Sequence, residues 1–531
     1  MTDLGQYRLS RFHLAFVLVA VLAFGVIAAP SAQAQTFNVL YNFTSFEGSG
    51  SDGGQPYGGV IQDAQGNLYG TTLYGGGSDT FDVMWGMGTV YKISPDGTET
   101  VLHAFDFTDG EYPTSTLVRD SAGNLYGTTQ FGGYTGNSTC EHGDPAFFQE
   151  GCGTIFKLDP NGNLTTLYMF HGPTDGYYPN VDFMDAAGNL YGTVVAGGDN
   201  GNGLGEVWKL NTTTGVLTPL HVFLGGANDG NDPSGMGNLI AKGSTLYGTT
   251  LLGGAANCGV VYKMSNAGKS FKVLYSFQGA ADGCEPAGLT MDSKGNFYGV
   301  TEYCGTGGGI YSCVQGGTLW KMTSTGVETV LHSFAGAIST SDGYLPVSAP
   351  VWDVAGNLWG TTDTGGSQNG TIYEWSAQGV YSVPFILPIS GADGSGLASP
   401  LLLGSNGSFY GSSIQGGTGL VGLAFEFTPA PQATTTAITK NAPNPSKTGQ
   451  LVTVSFTVLA PTAVKVTKPT GSVTVNASTG QSCTGTIAVA SGKGSCKLTF
   501  TAEGSPSLTA TYSGDKYNSG SVSAEVTQTV N

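Results

Sequence analysis

Seven copies of one short motif constrain this chain more than any other feature. Asn-Leu-Tyr-Gly-Thr-Thr at Asn67–Thr72 recurs at Asn124–Thr129, and looser copies follow at Asn189–Val194, Thr245–Thr250, Asn296–Thr301, Asn357–Thr362 and Ser408–Ser413. The motif glycines are Gly70, Gly127, Gly192, Gly248, Gly299, Gly360 and Gly411, with steps of 57, 65, 56, 51, 61 and 51 residues. A repeat of this period is one supersecondary unit, which buries its apolar face only against its neighbours. Glycine is 86 of 531 residues. There is no Gly-X-Y period, so the glycines belong to turns and close approaches and not to a collagen helix.

Each copy holds four strand-like runs. In the first they are Gly59–Gln62, Leu68–Thr72, Thr89–Ile93 and Thr100–Phe105, here strands a to d. Asp-Ala-Gln-Gly-Asn joins a to b and Ser-Pro-Asp-Gly joins c to d, both short hairpin signals. A Gly-Gly loop of variable length lies between b and c. Asp-Gly-x-x-Pro or a near copy leads from d into the next a. Four short antiparallel strands repeated seven times predict an all-β fold, a seven-bladed β-propeller. A linear β-solenoid fits less well, because its repeats are shorter and its strands parallel. The last copy stops at strand c, Leu423–Phe427, while Phe37–Phe43 is an orphan d-like strand before the first a. Pairing these two closes the ring and covers two exposed strand edges.

The pattern Asn-Leu-Tyr-Gly-Thr-Thr, Gly-Gly, Gly-Thr-[Val/Ile]-[Phe/Tyr]-Lys-[Leu/Ile], Asp-x-x-Gly, Val-Leu-[Tyr/His]-x-Phe resembles the Gloeo-Verruco (GloVer) tandem repeats of bacterial exported proteins. Agreement is strongest in the first two copies. The seventh departs most, with Ser-Phe-Tyr-Gly-Ser-Ser and Ala-Phe-Glu-Phe. The a–b portion, such as Val118–Tyr126, also looks like the inner strands of NHL-type propeller repeats. The resemblance implies an exported repeat protein and brings no activity with it.

The N-terminus reads as a secretory signal at residues 1–34. Arg8 and Arg11 supply the positive region, Leu14–Ala29 the apolar one, and Ala32-Gln33-Ala34 the small-x-small cleavage site. Sixteen apolar residues fall short of the ~20 that span a bilayer. Secretion without membrane insertion is expected. The chain without residues 1–34 carries 17 basic and 36 acidic residues, a net charge of −19. That balance excludes nucleic acid as a partner.

The propeller is expected over 35–430. Composition changes at Pro429-Ala430-Pro431, and about seven alternating runs follow in 431–531, the pattern of a β-sandwich. The segment Thr-Ala-Thr-Tyr-Ser-Gly-Asp-Lys-Tyr-Asn-Ser at Thr509–Ser519 resembles the final motif of bacterial Ig-like repeats, which implies a spacer or adhesive module. An even cysteine count in an exported chain suggests disulfides. Nearest-neighbour pairing gives Cys140–Cys152, Cys258–Cys284, Cys304–Cys313 and Cys483–Cys496, the last stapling a hairpin. No CxxC knuckle offers a zinc site.

His103, His221 and His332 share one position in strand d with Tyr41, Tyr168 and Tyr275, which reads as packing and not catalysis. His142 and His171 lie in loops without evident partners. The Asp-Gly aspartates Asp52, Asp109, Asp175, Asp229, Asp282, Asp342 and Asp393 read as turn residues. The alternating oxygen ligands of a calcium loop are absent. No metal and no cofactor are expected, and no residue is assigned as catalytic.

Departures from the repeat are the better guide. The long b–c loops carry Trp85, Tyr134, Phe147, Phe148 and Tyr311. They share one face of the propeller with the d–a loops, and loops on a rigid scaffold carry function. Asp232 and Glu285 precede prolines in the loops leading into the fourth and fifth copies. Glu302 and Asp363 follow strand b in the fifth and sixth. Together they form an acidic sector suited, with aromatics, to carbohydrate. The expectation is a monomeric, non-enzymatic surface or secreted protein that binds a glycan or protein. The alternatives are a carbohydrate-active propeller hydrolase or lyase and a structural surface protein with no specific ligand.

Overall fold

The computed structural model describes residues 35–44, 52–77, 86–133, 151–198, 204–233, 239–305, 316–334, 342–366, 368–388, 390–460 and 468–531. All regular structure among them is β, and no helix among them is long and apolar enough to cross a membrane. The signal-like segment 1–34, Trp85, Tyr134, Phe147, Phe148, Tyr311, Cys140, Cys313 and His142 lie outside the described residues. Gln35–Pro429 forms one compact unit, and most of the chain from Ala430 to Asn531 forms a second.

Among the described residues the first unit contains seven antiparallel sheets of four or five strands and two two-stranded ones; in six of the seven, strands a to d follow one another along the chain, with sheet 3 over 177–222, sheet 4 over 239–276, sheet 5 over 284–333 and sheet 6 over 351–386. Sheet 1 comprises Ile61–Gln62, Leu68–Thr72, Thr89–Ile93 and Glu99–Ala104. In sheet 2 strand a is split into Glu111–Pro113 and Val118–Arg119. In sheet 7 the outermost strand is Thr36–Asn42, from the start of the described chain, paired with Leu423–Thr428. Phe37 pairs with Phe427 and Asn42 with Leu423, so the orphan strand completes the last sheet.

The motif glycine has a packing cause. In all seven sheets a buried aromatic of strand c lies over it: Tyr91 on Gly70, Phe156 on Gly127, Trp208 on Gly192, Tyr262 on Gly248, Trp320 on Gly299, Tyr373 on Gly360 and Phe425 on Gly411. A Cβ at any of these glycines would sit inside the ring's contact distance. The aromatics carry the apolar cores between neighbouring sheets: Tyr91 of sheet 1 packs with Phe43, Tyr410 and Ala424 of sheet 7.

One joint repeats between sheets. The d–a loop places a left-handed residue before proline: Gln55 (φ 53°), Tyr112 (55°), Tyr178 (54°), Asp232 (59°), Glu285 (60°) and Leu345 (56°). The proline lies on the glycine that opens strand c of the preceding sheet, as Pro113 on Gly88 and Pro286 on Gly259. Pro56 lies on Gly422 in the same way, and Gln55 N–H donates to Val421 O at 2.6 Å, so sheet 7 meets sheet 1 and the ring closes. Ser412 Oγ also donates to Gly58 O at 3.2 Å across the same seam.

On the opposite face the a–b turns share a carboxylate clasp. Asp63 accepts from the Gln65 and Asn67 amides, the Asn67 side chain and the Tyr69 hydroxyl. Asp120, Asp185 and Asp292 do the same. Burial opposes ionisation here, but these hydrogen bonds outweigh it and hold all four carboxyls below their ordinary range.

The second unit is a sandwich of a three-stranded sheet, Thr435–Ala442, Leu451–Leu459 and Lys493–Thr499, and a sheet built on Ser472–Ala477, Ser482–Thr486 and Ser507–Gly514. Val452, Val454, Phe456, Val473, Val475, Leu508 and Tyr512 fill its core. The expected hairpin staple Cys483–Cys496 is corrected here. The bond forms, but Cys483 and Cys496 belong to different sheets, so it ties the two layers together. The Ser491-Gly492 turn carries the chain from one layer to the other, which is why adjacent strands in sequence do not pair.

Candidate functional site

The loop face is built from two rings of positions, the first with one residue in each loop leading into sheets 1 to 6 and the second with one in each of the seven sheets. The first ring is the left-handed residue before proline. The second is the residue that follows the Thr-Thr end of strand b. Backbone hydrogen bonds lock one to the other: Leu251 N–H donates to Asp232 O at 2.9 Å and Asp363 N–H to Leu345 O at 3.0 Å. The left-handed residue is held from its other side as well. Glu285 N–H donates to Cys258 O at 3.1 Å and Asp232 N–H to Leu204 O at 3.0 Å. A left-handed non-glycine residue costs on the order of 1–3 kcal/mol and persists where its surroundings over-determine it.

This frame brings the four acids of the sequence reading together. Glu285 stands across the ladder from Glu302, because Cys284 pairs with Tyr303 and Pro286 with Thr301. Asp232 and Asp363 flank them in sheets 4 and 6. Burial first, then the charges of Glu285, Asp232 and Asp363, push the Glu302 carboxyl up to about 8. Burial and then Asp232 raise Glu285, and burial raises Asp363. Two tyrosines share the field. Tyr57 is raised by burial and by Glu302 and Asp363, and Tyr303 by burial and by Glu302, Glu285 and Asp363. Tyr57 belongs to the chain entering sheet 1, so the cluster reaches across the mouth of the ring. A Cβ on Gly396 of sheet 7 would lie 3.2 Å from Asp363 Oδ1. Among the described residues no group of three or more His, Cys, Asp or Glu is set to hold a metal ion.

Tyr112 and Tyr178 of the first ring belong to an aromatic arc that the sequence did not reveal. Tyr74 meets Tyr112 edge-on at 5.3 Å between ring centroids, Tyr112 meets Phe131 at 5.9 Å, and Phe131 meets Tyr178 at 5.2 Å. Tyr177 lies 6.3 Å from Tyr178. All five are half-exposed. Tyr112 and Tyr178 occupy the pre-proline position that holds Asp232 and Glu285 in sheets 4 and 5. The signal was therefore in the sequence, at the position already used for the acids. The loop face is aromatic over sheets 1–3 and acidic over sheets 4–6.

Histidines and Asp-Gly aspartates meet each other. His103 Nε2 lies 2.8 Å from Asp109, His221 Nε2 3.0 Å from Asp229 and His332 Nε2 3.0 Å from Asp342. Tyr41, Tyr168 and Tyr275 hydroxyls donate to Asp52, Asp175 and Asp282 at 2.8–2.9 Å. One pair clamps strand d to the loop that leaves it at each of six joints. In the seventh the strand d position is Phe385, which has no donor for Asp393. His171, expected to be unpartnered, is corrected: its Nδ1 lies 3.0 Å from Asp175 Oδ2. The partner sits four residues on, in the same turn.

Cys258 and Cys284 are bonded, with Cα atoms 4.5 Å apart, and tie the b–c loop of sheet 4 to the residue before Glu285. Cys152 and Cys304 are also disulfide-bonded. The pairings expected for Cys140 and Cys313 lie outside the described residues.

Fold and face together define a β-propeller of sequence repeats joined to an Ig-like module. The family model described as the Gloeobacter/Verrucomicrobia repeat matches residues 23–146, 88–312 and 141–369, overlapping segments that span more than half of the chain. The chain belongs to the Gloeobacter/Verrucomicrobia repeat family. The model for bacterial Ig-like domain group 3 matches residues 438–531. No curated protein matches. Among solved structures, a Xanthomonas campestris gluconolactonase aligns with TM-score 0.35 and 14% identity, over 68% of this chain and 93% of its own. An oligogalacturonate lyase from Vibrio parahaemolyticus aligns with TM-score 0.40 and 10% identity, over 74% of this chain and 97% of its own. The extracellular domain of a proposed one-component system from B. thetaiotaomicron aligns with TM-score 0.40 and 12% identity, over 92% of this chain and 60% of its own.

Proposed function

We propose that this is an extracellular or cell-surface binding protein whose propeller loop face takes a glycan. The observation that supports this most is the adjacency of the two arcs, half-exposed aromatics beside half-buried carboxylates around one mouth. Aromatic faces cover the apolar faces of sugar rings, and carboxylates accept hydrogen bonds from sugar hydroxyls or pair with amino groups. The scaffold beneath is held by backbone bonds and the Cys258–Cys284 disulfide, so little ordering entropy is lost on binding. The test is a glycan array on the full chain and on a Tyr112→Ala/Tyr178→Ala double variant. Binding to defined glycans that drops at least about tenfold in the double variant, some 1.4 kcal/mol, supports the reading. An array with no hits, or hits unchanged by the substitutions, overturns it.

One observation favours a second reading, a carbohydrate-active enzyme. Glu302, raised to about 8, is protonated near neutral pH beside carboxyls that share its field. Glycoside hydrolysis uses two carboxyl groups whose surroundings set them apart, one of them raised to serve as the acid. Release of reducing ends from any array-positive glycan, abolished in Glu302→Gln, would replace binding with catalysis. Binding without turnover, retained in Glu302→Gln, would exclude it.

A further inference from the structure

Charge divides unevenly between the two units. Residues 35–430 carry ten basic and 33 acidic side chains, a net charge of −23, while residues 431–531 carry seven lysines and three acids, a net charge of +4. The register of the three-stranded sheet places part of that excess on one face. Val452, Val454 and Phe456 are buried, so the alternate residues Thr453, Ser455 and Thr457 point outward. Their ladder partners are Lys497, Ser495 and Lys493 on one side, and Ser455 pairs with Lys440 on the other. Lys440, Lys493 and Lys497 are all exposed. None of the three strands contains an acidic residue.

The result is a sheet face of hydroxyls with three ammonium groups set into it and exposed Leu451 and Leu459 at the two ends of its central strand. Lys493 and Lys497 are about 13 Å apart along their strand, and Lys440 stands two strands away, about 10 Å across. The face has no aromatic side chain to stack a base and no large apolar centre to anchor a protein. Its charges are too sparse for the dense phosphates of a duplex, which give one charge per ~1.7 Å. A polymer with anionic groups at intervals and hydroxyls between them fits.

We infer that this face binds an anionic polysaccharide, which makes the Ig-like module an adhesive unit with its own ligand class. The inference stands apart from the loop face. The test uses the full chain from Gln35 and immobilised polygalacturonate, with dextran and duplex DNA as competitors. The chain is expected to be retained at low salt and released at high salt, with neither competitor displacing it. Lys440→Glu/Lys493→Glu/Lys497→Glu is expected to weaken binding by about tenfold or more. Lys447→Glu/Lys468→Glu/Lys516→Glu carries the same net charge off this face and should leave binding in place. The Gln counterpart of the face triple serves if charge reversal prevents folding. No retention at low salt, or equal loss in both triples, overturns the inference. Displacement by duplex DNA at matched charge overturns the assignment to polysaccharide.

Discussion

Glu285 lies opposite Glu302 in sheet 5, between the ladder pairs Cys284–Tyr303 and Pro286–Thr301, which sets two carboxyl groups side by side. Opposed like charges destabilise a sheet pair, and here burial adds to the cost by raising both carboxyls.

Stability should therefore fall as pH rises from about 5 to 8. Glu302 is raised to about 8, and Glu99, Glu328 and Glu374 to about 7, each from an ordinary 4.5, with burial the first cause in every case. Between 4.5 and these values the native state holds more protons than the unfolded chain, so unfolding is favoured as pH rises through that window. Below about 4 the trend reverses, because Asp63, Asp120, Asp185 and Asp292 are lowered and their stabilisation is lost on protonation. Thermal unfolding across pH 3–8 should peak in the mildly acidic range. Glu302→Gln should flatten the limb above pH 7, and a curve flat from 5 to 8 would contradict the burial of these groups.

Ring closure gives a second prediction. Phe37 stacks on Phe385 of sheet 6 at 4.5 Å between centroids and on Phe425 of sheet 7 at 4.8 Å. Phe37→Ala should cost about 2 kcal/mol, less than the ~3–5 of a fully buried phenylalanine, since Phe37 is only half-buried. Hydrogen exchange should quicken in Leu423–Thr428 before it does elsewhere. Unchanged protection there would mean the first strand does not hold the ring shut.

The motif glycine gives a third. Gly299→Ala should cost about 1–3 kcal/mol by overpacking against Trp320 and the Gly288 carbonyl. Combining it with Trp320→Leu should recover part of that loss, a non-additivity expected only of touching residues. Additive effects in denaturant unfolding would show that the glycine is kept for another reason.

The Tyr–Asp and His–Asp clamps give a fourth. Tyr275→Phe removes one donor from Asp282, which keeps the Gln278 amide at 2.9 Å. A cost of about 1 kcal/mol is expected, with glycan binding unchanged. A large loss of binding at unchanged stability would move these pairs from scaffold to site.

Much of the fold was legible because one local rule repeats. The motif glycine, the a–b aspartate clasp and the pre-proline residue each report a contact within one sheet or with the next. The orphan strand was legible from phase alone. What was not legible depends on two segments meeting. The acids could be grouped by repeat position, but their mutual field needed the ladder that opposes Glu285 to Glu302. Tyr112 and Tyr178 escaped notice because tyrosine at a variable loop position has many explanations until Phe131 lies between them. The lysine face escaped because the negative charge of the whole chain hides it. Lys493 and Lys497 share a face only as strand residues, and Lys440 joins them only through Ser455. The Cys483–Cys496 bond was found, but its span across two layers needed strand order.

The left-handed residue before proline has a wider consequence. Its backbone is tied on both sides and its proline seats the next sheet, so the joint does not depend on the side chain it carries. Glutamine, tyrosine, aspartate, glutamate and leucine all stand at this position in one molecule, at φ between 53° and 60°. The ring thus behaves as a row of interchangeable letters on a fixed type bar. The side chains displayed at these joints can be changed one residue at a time, without recasting the fold that carries them.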